Sequence, residues 1–138
     1  MMINTIIISI LLVLARSDLG VDLSTLTSTE AFKCLLSNNY TFLNVRAWRS
    51  FGSFDPNSVQ TLVNAKAAGY KVENLGVYMF PCYNVEKTAA AQMKEMVSQL
   101  SNSEYSTIWI DMETNLSPNC GWTSNYDSNC LFTEELVN

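Results

Sequence analysis

The sequence predicts an α/β fold in which a parallel sheet is covered by helices, and three observations carry that expectation. Strand-like and helix-like segments alternate along the chain, and the strand-like ones are near-continuously apolar, as buried parallel strands are. No Gly-x-Gly-x-x-Gly or Gly-x-x-x-x-Gly-Lys-Ser/Thr follows any of them, so a nucleotide-binding reading has no phosphate loop. Finally, Asp22, Arg46, Tyr78, Asp111 and Glu113 all fall at C-terminal strand ends, where a TIM-type barrel carries its active residues. A doubly wound sheet and a barrel both remain compatible with the alternation itself.

The elements follow in order. Met1 to Ala15 carries no charge and runs through Ile6-Ile7-Ile8-Ser9-Ile10-Leu11-Leu12-Val13-Leu14, which reads as a secretory signal peptide. Its apolar core is short of the roughly 20 residues of a membrane span. The mature chain is expected to begin near Arg16 or Ser17, leaving one domain, 16–138, with no membrane partner. Leu19 to Ser24 is a short strand, and Thr27 or Ser28 caps a helix to Ser37 with Phe32, Leu35 and Leu36 on one face. Tyr40 to Arg46 is the second strand. A polar loop, Arg49 to Asp55, leads to Pro56 in the first turn of a helix that stops at Gly69. Leu75 to Phe80 is the third strand, and a helix from about Val85 to Leu100 presents Ala89, Met93, Met96, Val97 and Leu100 as its apolar stripe. Thr107 to Met112 is the fourth strand. A Cys-, Asn- and Gly-rich loop then precedes a last helix beginning near Phe132.

Composition excludes whole classes of chemistry. The 138 residues contain no histidine, which removes Ser-His-Asp, Cys-His and His-Glu-x-x-His sites, and no metal or other cofactor is indicated. A net charge of -5 gives no footprint for nucleic acid. Four cysteines in an exported chain favour disulfides. Of the three possible pairings, Cys34 with Cys82 and Cys120 with Cys130 is the first choice, because the latter two are close in sequence. Asn39-Tyr40-Thr41 and Asn115-Leu116-Ser117 fit the N-glycosylation acceptor pattern.

The chemistry concentrates in Ile108-Trp109-Ile110-Asp111-Met112-Glu113. Side chains alternate across a strand, so Asp111 and Glu113 point to the same side, with Cα atoms about 6.6 Å apart at a rise of roughly 3.3 Å per residue. That is near the carboxylate spacing of glycosidic chemistry. A family 18 chitinase pattern, Asp-x-x-Asp-x-Asp-x-Glu, fails because Ser106 and Trp109 stand at its first two positions.

Taken together, Gly20-Val21-Asp22-Leu23-Ser24, Val45-Arg46, Val77-Tyr78-Met79-Phe80-Pro81-Cys82 and Trp109-Ile110-Asp111-Met112-Glu113 resemble the glycoside hydrolase family 25 lysozymes, especially the eukaryotic ones. The resemblance covers nearly the whole mature chain in order. It implies a muramidase that cleaves the β-1,4 bond between N-acetylmuramic acid and N-acetylglucosamine in bacterial peptidoglycan, working in a secreted, lysosomal or phagosomal lumen. Glu113 would be the general acid, with Asp111 and Asp22 completing an acidic cluster, and the family pattern suggests substrate assistance by the acetamido group. Tyr78 would hydrogen-bond that group or an acid, Arg46 would pair with the acidic cluster, and Trp48 or Trp109 would stack on sugar faces. For the tryptophans burial is the competing reading, most of all for Trp109, which lies within a strand.

Eight strands make a TIM-type barrel and four are found here, so the chain is expected to form the N-terminal half of such a barrel, apparently truncated. Its last strand would then be an exposed edge open to self-association. The alternative is a catalytically inactive relative that binds peptidoglycan or amino sugars without cleaving them.

Overall fold

Four parallel strands lie in the sheet in the order in which they occur along the chain. The computed structural model describes residues 18–83 and 86–138, so the apolar segment Met1 to Ala15 lies outside the described residues. β1 (Leu19–Leu23) pairs with β2 (Tyr40–Arg49), a two-residue β3 (Ser53–Phe54) folds back antiparallel on the end of β2, β4 (Leu75–Met79) pairs with β2, and β5 (Thr107–Ile110) pairs with β4. Apart from β3, each strand is added beside the previous one with no reversal. A doubly wound sheet reverses at its switch point, whereas barrel strands are laid down sequentially. The fold is therefore mixed α/β on a parallel sheet, compatible with part of a TIM-type barrel. Among the described residues, β1 and β5 are its two edges.

The helices begin and end on recognisable chemistry. α1 (Thr29–Ser37) starts where the Ser28 hydroxyl accepts the Ala31 N–H at 3.2 Å, and α3 (Ala89–Gln99) starts where Thr88 does the same for Ala91. α2 (Asn57–Ala68) follows Pro56 and stops at Gly69, whose φ of 110° is a left-handed cap that a side chain would strain. α4 (Tyr126–Val137) begins well before Phe132, because Asn125 caps it by accepting the Ser128 N–H and Asp127 sits in its first turn. α3 likewise begins at its Thr88 cap rather than near Val85, which lies outside the described residues. No helix among the described residues is long and apolar enough to cross a membrane.

One face of the sheet is covered. Leu43, Val45, Ala47, Leu75, Val77 and Met79 pack in a fully buried core with Phe32 of α1, Leu62 and Ala65 of α2, Met96 of α3 and Leu136 of α4. In α3 the inward position belongs to Gln92 rather than to Val97, which is 40% exposed. Gln92 tolerates full burial because its amide is satisfied on both sides. Its Nε2 donates to the carbonyls of Cys82 (2.8 Å) and Lys87 (3.2 Å), and its Oε1 accepts from Trp48 Nε1 (3.0 Å) and the Cys82 N–H (3.1 Å).

Trp48 is accordingly a core residue, 0% exposed, and offers no ring face to a sugar. The cause is a register shift in β2. Arg46 pairs with Tyr78, but Trp48 already pairs with the adjacent Met79, so a bulge falls at Ala47. Simple alternation from Arg46 would put Trp48 on the same open face as Arg46; the bulge turns it inward.

The disulfide also differs from the sequence expectation. Cys82 and Cys120 are bonded, with Cα atoms 4.5 Å apart, tying the end of β4 to the loop after β5, and the Tyr83 N–H donates to Cys120 O beside it. Cys34 is free on α1, and Cys130 is free on α4. Proximity in sequence misleads here because α4 begins between Cys120 and Cys130 and carries the latter away.

Candidate active site

The other face of the sheet is open. Alternation places Asp22 of β1, Asn44 and Arg46 of β2, Gly76 and Tyr78 of β4, and Trp109 of β5 on this side, with Asp111 following in the same sense. Asp22, Asn44, Tyr78, Trp109, Ile110 and Asp111 line a cleft of about 270 Å³. Of the expected site residues, Asp22, Tyr78 and Asp111 are thus brought together, and Glu113, two residues further on, does not line the cleft but lies near enough for its charge to act on Asp111. Trp109 joins them, half-exposed beside Tyr78, reversing the expectation that it is the most buried tryptophan. Trp48 does not.

Asp111 follows the last residue of β5, and its N–H donates to Met79 O at 2.9 Å, so the chain leaves the sheet in a fixed direction. Its carboxyl is held above the usual Asp range. Burial is the first cause, followed by the charge of Glu113, a hydrogen bond between the two carboxyls, and the charge of Asp22. Glu113 is the exposed member of the pair. Its carbonyl accepts the indole N–H of Trp122 at 2.8 Å, and Trp122 is itself set by Tyr83 and Phe132, with ring centroids 5.8 and 5.9 Å away. Nothing in the sequence signals this support, since Trp122 lies in a loop with no periodicity.

Tyr78 keeps its proton well past neutrality. Burial pushes its hydroxyl up; Arg46 opposes that, and Asp111, Asp22 and Asp55 add to it. Tyr78 is therefore a donor at the centre of the cleft, flanked by acceptors.

Arg46 does not pair with the acidic cluster. It binds Asp55 through Nε at 2.9 Å and donates to Ser24 O at 2.9 Å, while Arg49 holds the other Asp55 oxygen at 3.1 Å. Burial alone would raise the Asp55 pKa, but hydrogen bonds from Arg49, Arg46 and the Asn57 N–H, together with the Arg46 charge, bring it below the usual value. Arg46 thus keeps a carboxylate ionised, as the residue type suggested, but the carboxylate is a structural one under the end of β2.

Beside Asn44 in the sheet, on the same side, Gly76 lies under the Asn44 and Trp109 side chains. A Cβ there would stand 2.9 Å from Trp109 Nε1 and collide with Asn44 Oδ1. Glycine lets both side chains lie across the strand. Asn44 Oδ1 is buried with no hydrogen-bond partner among the described residues. Neither Asn44 nor Gly76 stood out in the sequence, although their places opposite Asp22 follow once the strand register is known.

The fold and site together define a parallel α/β protein with a carboxyl pair and a tyrosine gathered at its C-terminal strand ends. The sequence model of the family described as Lysozyme-like protein 1 matches residues 14–138. The chain belongs to this lysozyme-like family, whose named relatives include glycoside hydrolase family 25 lysozymes. It is 39% identical over 86% of its length to a Dictyostelium discoideum protein named probable GH family 25 lysozyme 2, covering 53% of that protein. It is 33% identical over 90% of its length to probable GH family 25 lysozyme 5 of the same organism, covering 56% of it, and 31% identical over 86% to lysozyme-like protein 5 of Caenorhabditis elegans, covering 53%. The chain spans about half the length of these curated relatives. No solved structure matches it.

Proposed function

We propose that this chain carries the acid side of a muramidase site, acting on the β-1,4 bond between N-acetylmuramic acid and N-acetylglucosamine in bacterial peptidoglycan. The observation that carries the reading is the cleft in which Asp111, Tyr78 and Asp22 converge beside Trp109, with Glu113 two residues beyond Asp111 and close enough to raise its pKa. Glu113, the exposed member, protonates the glycosidic oxygen as the bond to C1 breaks. Asp111, whose carboxyl holds its proton longer than an ordinary Asp, stands two residues away as a second proton source.

A carboxyl held protonated as Asp111 is makes a poor nucleophile toward C1. That favours attack on C1 by the substrate's own acetamido oxygen, followed by water, which returns a proton to the carboxyl pair. Tyr78 and Asp22 orient the acetamido group, and Trp109 supplies an exposed aromatic face for the sugar. The working compartment is an exported or phagosomal lumen, where the Cys82–Cys120 bond is stable.

The test is Glu113→Gln in the disulfide-bonded protein. Reducing-sugar release from peptidoglycan should fall by about 10²–10⁴-fold, the usual weight of a general acid, while circular dichroism and co-sedimentation with cell wall stay unchanged. Near wild-type turnover would refute the assignment of Glu113. Binding with no turnover by the wild-type chain would favour a non-cleaving role for the same cleft.

A further inference from the structure

The two glycosylation tripeptides have opposite structural fates. Asn39 is exposed in the turn between α1 and β2, with a left-handed φ of 64°, and Thr41 is the second residue of β2. Asn115 is 5% exposed and fully engaged. Its Nδ2 donates both hydrogens, to Ser50 O at 2.6 Å and Pro81 O at 3.1 Å, and its Oδ1 accepts the Ser117 N–H at 2.9 Å. Even the hydroxyl of that tripeptide is occupied, Ser117 Oγ bonding Ser50 Oγ at 2.8 Å.

We propose that Asn39 carries an N-linked oligosaccharide in the folded protein and that Asn115 does not. The donor is a polyisoprenyl-diphosphate oligosaccharide of the secretory pathway. Asn39 Nδ2 forms a bond to C1 of the first sugar, the C1–O bond to the diphosphate breaks with its electron pair leaving on the diphosphate, and one Nδ2 proton is released. The same reaction at Asn115 would leave Nδ2 a single hydrogen for two buried carbonyls, so one of them would lose its partner. It would also force a sugar between Pro81 and Ser50, next to the Cys82–Cys120 bond that closes this region. Chains modified there do not reach this fold.

The position of Asn39 also spares the cleft. It precedes the N-terminal end of β2, whereas Asp22, Asp111 and Glu113 gather at the opposite ends of the strands. From Tyr40 to Arg46 a strand covers about 20 Å, so the glycan begins on the far side of the sheet from the acids. The inference is independent of the muramidase reading and rests on the reading of the leading segment as an export signal.

The experiment secretes the chain, with its own residues 1–17, from a eukaryotic cell and isolates the disulfide-bonded form. Peptide N-glycosidase in ¹⁸O-water converts each glycosylated Asn to labelled Asp, and peptide mass spectrometry locates the label. The expected result is label at position 39 alone and one glycan's mass lost from the intact protein. Asn39→Gln and, independently, Thr41→Val, which leaves Asn39 in its turn, should each be secreted without the glycan, while Asn115→Gln changes no glycan mass in whatever material folds. Label at position 115 in disulfide-bonded protein overturns the proposal. So does secreted protein unlabelled at position 39, and so does retention of the unmodified chain in the cytosol.

Discussion

The two faces of one sheet have been given opposite tasks. Leu43, Val45, Leu75, Val77 and Met79 face the helices, fully buried or nearly so and apolar throughout. Their immediate neighbours Asn44, Arg46, Gly76 and Tyr78 face the open side, where Asn44 and Tyr78 line the cleft, carrying charge, hydroxyl and amide, with one buried amide oxygen left unpaired. Residues that differ by one position in sequence therefore differ in what they do, because a strand's period is two. The covered face supplies stability, and the open face holds groups whose hydrogen bonds and charges are not satisfied internally. That separation lets the chemistry of one face change without repacking the other.

The contrast is sharpest where a substitution hits the covered face. Met79→Ala should cost about 3–4 kcal/mol in urea unfolding, through lost burial plus a cavity, with no change in the pH dependence of any remaining activity. A loss under about 1 kcal/mol would mean that the helices do not press on β4 as described. Asp55→Asn should cost about 3 kcal/mol, since two arginines lose a buried counter-charge. The lowered Asp55 pKa fixes the sign of the pH effect: its contribution is full above the unfolded value of 3.8 and fades as pH falls through the lower folded value. Thermal unfolding of the wild type and variant should therefore converge only in strong acid.

On the open face the effects on stability are smaller and those on binding larger. Gly76→Ala should cost about 1–2 kcal/mol as its Cβ displaces Trp109 and Asn44, and should quench or shift the Trp109 fluorescence that reports the move. Trp109→Ala should cost under about 1 kcal/mol, because the ring is half-exposed, yet weaken co-sedimentation with peptidoglycan by about tenfold. Asp111→Asn has the smallest effect on stability and the opposite sign. A carboxyl with a raised folded pKa favours the fold most below 3.8 and loses that contribution as pH rises through the raised value, so the variant should melt slightly higher than wild type at pH 7. The difference should vanish toward pH 4. A variant less stable at pH 7 would show that Asp111 is held as a structural anion instead.

Much of this division was legible in the sequence. Apolar runs and capping residues located the four parallel strands and the first two helices closely, because burial and N-cap chemistry act locally. The convergence of Asp22, Tyr78 and Asp111 was legible because alternation and strand ends are local properties too. What escaped depends on contacts between distant segments. Gln92 reads as a polar residue on a helix until Trp48 and Cys82 are placed around it, and Cys82 finds Cys120 only once β5 lies beside β4. Asp55 looked like a loop acid, and its two arginines come from either side of the Ala47 bulge. Trp109 was the avoidable miss. It stands two residues before Asp111 on the same strand, so period two assigns it to the cleft whatever its hydrophobicity.

The bulge at Ala47 acts on β2 as a frameshift acts on a reading frame. Up to Arg46, odd positions mean core and even positions mean cleft; beyond it the parity is inverted, and Trp48 is decoded as core. The inversion needs the extra residue to stay unpaired: if β2 kept Ala47 and paired regularly, the indole would turn toward the cleft, whereas deleting Ala47 would leave Trp48 opposite Met79 and in the core. A homologue of the same length but without the bulge would therefore have to be read in the other phase, with an aromatic platform where this chain has a buried strut.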